Sequence, residues 1–268
     1  MAHPAVTSAV TSVVTSTVSS TVAVLERHLT LYRRLFWASA FSSFLLPVLF
    51  LVSIGLGVGG YVGDLDGVTY LQWIVPGVMA STAFQMAVGE TTYPVLGDFK
   101  WTRGYHAMRA TPVRIGEIIA GQVLFMVVRV LPQTVVFLLV VLLFGGLRSW
   151  WAVVTPVVCA AVVVASALPV MGFASRIDND GYFALLFRFV MIPMTLFSGV
   201  FFPVAQLPVA AQWLAWASPL WHGVELCRAA TLGVWPPWPV WAHVLCLLGW
   251  AVAGGWFAWR GFTRRLAV

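Results

Sequence analysis

Groups able to do chemistry are scarce in this chain, and their spacing excludes more than it permits. A phosphate-cradling P-loop needs GxxxxGK[ST], yet the sole lysine, Lys100, follows Phe99 in GDFKWTRG. The chain cannot hydrolyse ATP through such a loop. His3, His28, His106, His222 and His243 are scattered rather than paired, and neither an HExxH zinc site nor a GxSxG nucleophile elbow occurs. Cys159, Cys227 and Cys246 lie in or beside apolar runs without metal-ligand spacing, so they read as small buried hydrophobes. What remains is a few charges in apolar surroundings. Arg129 sits well inside an apolar run, where a charge costs at least about 2.5 kcal/mol on insertion scales, so it must face protein, water or a lipid headgroup. Glu90 is a possible partner, although snorkelling would satisfy each group separately. Glu225 and Arg228, three residues apart, read as an ion pair on a helix surface rather than as a substrate contact. A proton relay would need a chain of carboxylates or histidines at depth, which Glu90 alone does not provide.

The elements that position these groups follow from composition. Hydrophobic residues make up 60% of the 268 positions and charged residues 9%, against about 25% charged in soluble domains. The runs are too long and too continuous for a barrel of alternating ten-residue strands, so the class is an all-α integral membrane protein. A bilayer core needs about 20 apolar helical residues. Six segments qualify, near 37–57, 73–93, 117–143, 152–173, 184–202 and 239–259.

Orientation comes from the basic residues. With the N-terminus in the cytosol, that side holds Arg27, Arg33, Arg34, Lys100, Arg103, Arg109, Arg114, Arg176, Arg188, Arg260, Arg264 and Arg265, twelve of the fifteen Lys and Arg. The positive-inside rule therefore puts both termini in the cytosol. The net charge of +6 is this cytosolic excess, and no nucleic-acid partner is needed to explain it.

Four stretches stand outside the spans. Residues 1–24 lack the basic and compact apolar regions of a signal peptide and read as a retained, poorly ordered cytosolic tail. In LERHLTLYRRLF, residues 25–36, Leu25, Leu29, Tyr32 and Phe36 recur at helical spacing while Arg27, Arg33 and Arg34 lie largely elsewhere, which predicts an amphipathic interface helix. The loop at 97–116 is longer than a chain reversal requires; its TRGYHAMRA predicts a short helix that a partner could grip, and a basic loop resting on anionic lipid is the alternative. Finally, LFSGVFFPVAQLP halts an apolar helix, yet the chain stays apolar through Leu232. Read as a full span, residues 204–230 would strand the C-terminal arginines outside. Two short helices broken near Ser218 and Pro219, dipping in from the outer face and returning over 203–230, satisfy the charge rule.

These motifs carry a resemblance. TYLQWIVPGVMA (69–80), MRATPVRIGEIIAGQ (108–122), LFSGVFFPVAQLP (196–208) and SPLWHGVELCRA (218–229) resemble the permease subunits of ABC-2 type exporters, especially the daunorubicin-resistance and nodulation lipo-oligosaccharide group. The resemblance covers nearly all of 25–268. It implies a half-transporter in the bacterial plasma membrane that pairs with a second permease copy or paralogue. Two cytosolic ATP-binding subunits would carry ATP and Mg, with no cofactor on this chain. By that likeness the helix around Trp101, Arg103, Tyr105, His106 and Arg109 would contact the ATPase, buttressed by Arg27 and Arg33. Phe84, Phe187, Phe197, Phe201 and Phe202 would lie along the path or its gate. The cargo would be a glycolipid, lipo-oligosaccharide or hydrophobic drug. An ion-coupled carrier working without ATP is the alternative, but the chain lacks clear inverted repeats and a midplane carboxylate cluster. A lipid-modifying enzyme would have to rest on His222 and Glu225.

Overall fold

The computed structural model describes residues 4–34, 45–53, 57, 67–143 and 145–267. All regular elements among them are helical: α1 (Pro4–Arg34), α2 (Leu46–Ser53), α3 (Tyr70–Thr91), α4 (Tyr93–Lys100), α5 (Gly104–Arg109), α6 (Ile115–Leu143) and α7 (Thr155–Ala174, entered by a 3-10 turn at Trp150–Val154). Then come α8 (Gly181–Phe197), α9 (Val209–Ala217), α10 (Pro219–Leu232) and α11 (Val240–Leu266).

Among the described residues three helices are long and apolar enough to cross a membrane: Ile115–Leu143, Trp150–Ala174 and Val240–Leu266. They correspond to the expected spans at 117–143, 152–173 and 239–259. The segment at 73–93 is the 22-residue α3, about 33 Å long at the usual rise. The segment at 184–202 is helical only to Phe197, with a wider π-type turn at Phe187–Met191. Pro193 supplies the cause: without an N–H it cannot continue the i to i−4 ladder, and the winding widens beside it. Most of the expected span at 37–57 lies outside the described residues, of which α2 is the helical part.

One expectation is corrected. Residues 4–24 are not an irregular tail but the first turns of α1, continuous with the interface helix through Arg34. Val6, Val10, Val14, Val18, Leu25 and Leu29 recur at helical spacing with no glycine or proline after Pro4, and β-branched residues cost a helix only a fraction of a kcal/mol each. Phe36 lies outside the described residues.

Helix α7 is the axis of the packing: α11, α3, α6 and α10 all lie against it. Small residues set these distances, since apolar helices in lipid associate by close packing rather than by hydrophobic burial. A Cβ added at Gly254 would lie 2.5 Å from Pro169 Cδ, and one at Gly261 would lie 1.9 Å from Ser175 Oγ. Helix α1 crosses α6 at Gly121, where an added Cβ would meet Val24 at 2.6 Å. The outer surface is as apolar as the core: Leu139, Leu142, Trp241 and Val252 are all exposed. Water would not tolerate such a surface; lipid does.

Candidate functional site

The motifs converge on two knots, one beside the cationic loop and one around Ser218. The first begins where α3 breaks at Thr92, just ahead of Pro94, and gives way to α4. Arg103 joins α4 to α5 in the left-handed conformation (φ 51°), the one non-glycine residue with positive φ among the described residues. Side chains do not adopt that region freely, so this corner is held by its surroundings.

Three clamps hold it. Arg27 of α1 donates two hydrogen bonds to Asp98, at 2.8 and 2.9 Å, and the Thr102 hydroxyl donates to the same carboxylate at 2.7 Å. Gly104 leaves room for this pair, because a Cβ there would sit 2.4 Å from the guanidinium. Burial alone would raise the Asp98 carboxyl, but the hydrogen bonds and charge of Arg27 hold it below its usual range. Burial, together with the adjacent Arg27 charge, pushes His28 down to about 4. Next, Tyr105 is fully buried between Phe99 and Phe262, and its hydroxyl donates to Gln122 Oε1 of α6 at 2.5 Å. Third, Lys100 donates to the Asp178 carbonyl at 2.7 Å, while Arg265 donates to the Asp178 carboxylate at 2.8 Å and lies over the Phe99 ring. The loop is thus braced by α1, α6, α11 and the 175–180 turn.

This bracing sorts the residues expected to meet a partner. Trp101, 61% exposed, stands out with Arg103 and His106 and forms an outward face. Arg109 is exposed too and lines a cavity of about 420 Å³ with Arg114, Trp259 and Thr263. Arg33 is exposed on α1. Tyr105 is corrected: it is the inward anchor of α5, because the helix must bury one side to be held. Arg27, expected as a buttress, has its guanidinium engaged by Asp98 and braces the corner. Asp98, Gln122, Phe262 and Arg265 were not singled out in the sequence; the signal for Asp98 was a lone carboxylate within a basic loop.

Arg129 and Glu90 are brought together as an ion pair across α6 and α3. The Arg129 guanidinium also lies 4.6 Å from the centre of the Tyr32 ring of α1. The partner explanation therefore holds in place of separate snorkelling.

The second knot joins two helix breaks. Ser198 ends α8 and Ser218 separates α9 from α10; their hydroxyls meet at 3.0 Å, and Ser218 also caps α10 by accepting from Leu220 N at 3.1 Å. Glu225 and Arg228 pair at 2.5 Å, but the pair is buried, which corrects the helix-surface reading. Arg228 donates to the Gly199 carbonyl at 2.7 Å and lies over Trp73 of α3. Gly199 adopts φ +74°, a conformation that turns its carbonyl into the knot. Gly77 of α3 is needed here because a Cβ would approach the Val200 carbonyl to 2.7 Å.

Histidines that are scattered in sequence also pair in space. His222 Nδ1 and His243 Nδ1 are 2.9 Å apart, and His222 Nε2 lies 3.0 Å from the Trp216 carbonyl. A carbonyl only accepts, so His222 carries its proton on Nε2 and accepts from His243 at Nδ1. Both rings are buried beside Trp221 and Trp238. Of the aromatics expected along a path, Phe84 is corrected: it is buried in the core of this chain. Phe187, Phe197, Phe201 and Phe202 are half-buried.

Comparison with known proteins gives the same outline. Nodulation protein J of Rhizobium leguminosarum bv. viciae is 31% identical over 211 residues, 79% of this chain and 82% of the relative. Nodulation protein J of Rhizobium meliloti (strain 1021) is 28% identical over 244 residues, 91% and 93% of the two chains. The inner membrane transport permease YadH of Escherichia coli is 25% identical over 193 residues, 69% and 72% of the two chains. The model of the ABC-2 type transporter family matches residues 19–232, a stretch that includes Arg27, Asp98 and Tyr105 of the first knot and Ser198, Ser218, Glu225 and Arg228 of the second. With a braced cationic corner, an apolar helical bundle and that match, the chain belongs to the ABC-2 type transporter family as a membrane permease.

Proposed function

We propose that the chain is the permease half of an exporter driven by ATP hydrolysis on a separate subunit. In this reading it threads the bacterial inner membrane six times with both termini in the cytosol. A second permease copy or paralogue completes the path, and two ATP-binding subunits carrying ATP and Mg dock from the cytosol. The cargo is amphipathic or hydrophobic: a glycolipid, a lipo-oligosaccharide or a drug. The relatives named for nodulation and for inner membrane transport support a transport role in that membrane. Segment 203–230 forms the outer re-entrant lid. Phe187, Phe197, Phe201 and Phe202 line the gate beside it.

The observation that carries this reading is the exposed face of Trp101, Arg103 and His106 on a corner braced from four sides. A loop that merely rested on lipid would need no such bracing. A rigid knob is what a motor subunit requires, because force applied to a soft loop is dissipated within it.

The test is co-purification from membranes with a P-loop subunit encoded beside it. Trp101→Ala combined with Arg103→Ala is expected to cut recovery of that subunit about tenfold, as loss of central aromatic and Arg contacts does at interfaces. Unchanged recovery would remove the assigned docking face.

A further inference from the structure

We infer that Tyr105, Gln122, Glu90 and Arg129 form a polar relay that makes α3 the rod transmitting motor movement from the docking corner to the outer lid. The inference rests on the reading above and deepens it by naming positioning residues.

The relay begins at α5. Tyr105 donates its hydroxyl to Gln122 Oε1, and both side chains are buried. The other end of the same amide, Gln122 Nε2, donates to the Glu90 backbone carbonyl at 3.4 Å. That carbonyl belongs to the last turn of α3, where the helix itself leaves acceptors unfilled. One residue of α6 therefore holds the docking helix with one atom and the end of α3 with another. The Glu90 side chain then pairs with Arg129, one further turn pair along α6, and Arg129 lies over Tyr32 of α1. Four helices meet through these groups.

At its other end α3 reaches the lid. Trp73 lies under the Arg228 guanidinium, 4.1 Å from ring centre to charge, and Gly77 touches the Val200 backbone. The one helix that contacts the relay at Glu90 thus contacts the second knot through its first two turns. Moving α5 away from α6 would leave the Tyr105 hydroxyl and the Gln122 amide oxygen without each other, a penalty that resists independent motion. The cheaper response is for α5, α6 and the end of α3 to move together, which tilts Trp73 and Gly77 against the lid. Apolar contacts alone would let the helices slide.

The experiment uses the permease reconstituted in lipid vesicles with its ATP-binding subunit and a reporter cysteine at the exposed lid residue Gln206. Labelling by an impermeant maleimide from outside is measured with and without ATP, beside ATP hydrolysis. In the parent protein ATP is expected to change the labelling rate. Tyr105→Phe keeps the ring packing and removes only the hydroxyl; Gln122→Leu and Arg129→Gln break the later links. Per ATP-binding subunit recovered with each variant, hydrolysis is expected to be kept while the ATP-dependent labelling change falls about threefold to thirtyfold, the range of measured inter-site coupling. Arg129→Lys, which retains a cation beside Glu90, is expected to restore most of what Arg129→Gln loses. Labelling changes equal to the parent's in all three variants, or hydrolysis falling in step with them, would overturn the relay. A parent protein whose lid ignores ATP would overturn the exporter reading itself, and the relay with it.

Discussion

The corner at Arg103 and the knot around Ser218 are both polar clusters in an apolar molecule, yet they are built in opposite ways. At the corner, charged bonds run between distant segments in partly wet surroundings: Arg27 to Asp98, Lys100 to the Asp178 carbonyl, Arg265 to Asp178. Water remains available there, so each bond can open and close at modest cost. At the knot around Ser218 the charges are sealed. Glu225, Arg228, His222 and His243 are buried among Trp73, Trp216, Trp221 and Trp238. In such surroundings a group with its partner is stable and a group without one is not, so the knot is either whole or open. The corner is thus stiff through the number of its bonds, each modest, whereas the knot around Ser218 opens only as a whole.

Breaking one half of the sealed pair should have the largest effect. Arg228→Met strands the Glu225 carboxylate in an apolar site and should cost about 3–5 kcal/mol, read as a fall in the unfolding midpoint of the purified protein in detergent. Replacing both, Glu225→Gln with Arg228→Met, should recover most of the loss. Equal destabilisation by the single and double variants would mean that the knot is held by packing, not by the pair.

The second largest effect should come from acid at the corner. His28 is held near 4 in the docked helix, against about 6.5 when free. The undocked histidine therefore binds a proton more readily across that window, and docking of α1 weakens as pH falls from about 6.5 toward 4. The full effect is at most about 3 kcal/mol. Asp98, held below its ordinary value, adds loss only in still stronger acid, as pH falls through its lowered pKa. Hydrogen exchange of residues 20–34, referred to an unstructured peptide at each pH, checks this. His28→Phe should flatten the dependence.

The smallest effect should be that of the wet ion pair. Asp98→Asn removes the charge from the Arg27 contact and leaves one of its two acceptor oxygens, and should loosen α1 by about 1 kcal/mol. If it matched Arg228→Met, the distinction between wet and sealed clusters would fail.

Much of this was legible before any coordinates. The apolar runs marked the helices at 117–143, 152–173 and 239–259, because a bilayer imposes a length and a polarity on each segment taken alone. The break at Ser218 and Pro219 was legible for a similar reason: proline and a capping serine act on their own neighbours. TRGYHAMRA announced a short helix, observed as Gly104–Arg109. The helical start of α1 is not legible in the composition of valine, threonine and serine; the spacing of the valines carries it.

What the sequence determined by itself is thus whatever depends on adjacent residues: the helical class, the long apolar segments and the breaks. What only the tertiary structure decided is which polar groups meet. His222 and His243 are 21 positions apart, Glu90 and Arg129 are 39 apart, and Arg27 and Asp98 are 71 apart. Nothing in their local surroundings names a partner. In an apolar interior an unpaired polar group is unfavourable, and the choice of its partner belongs to the assembled helices rather than to any single segment.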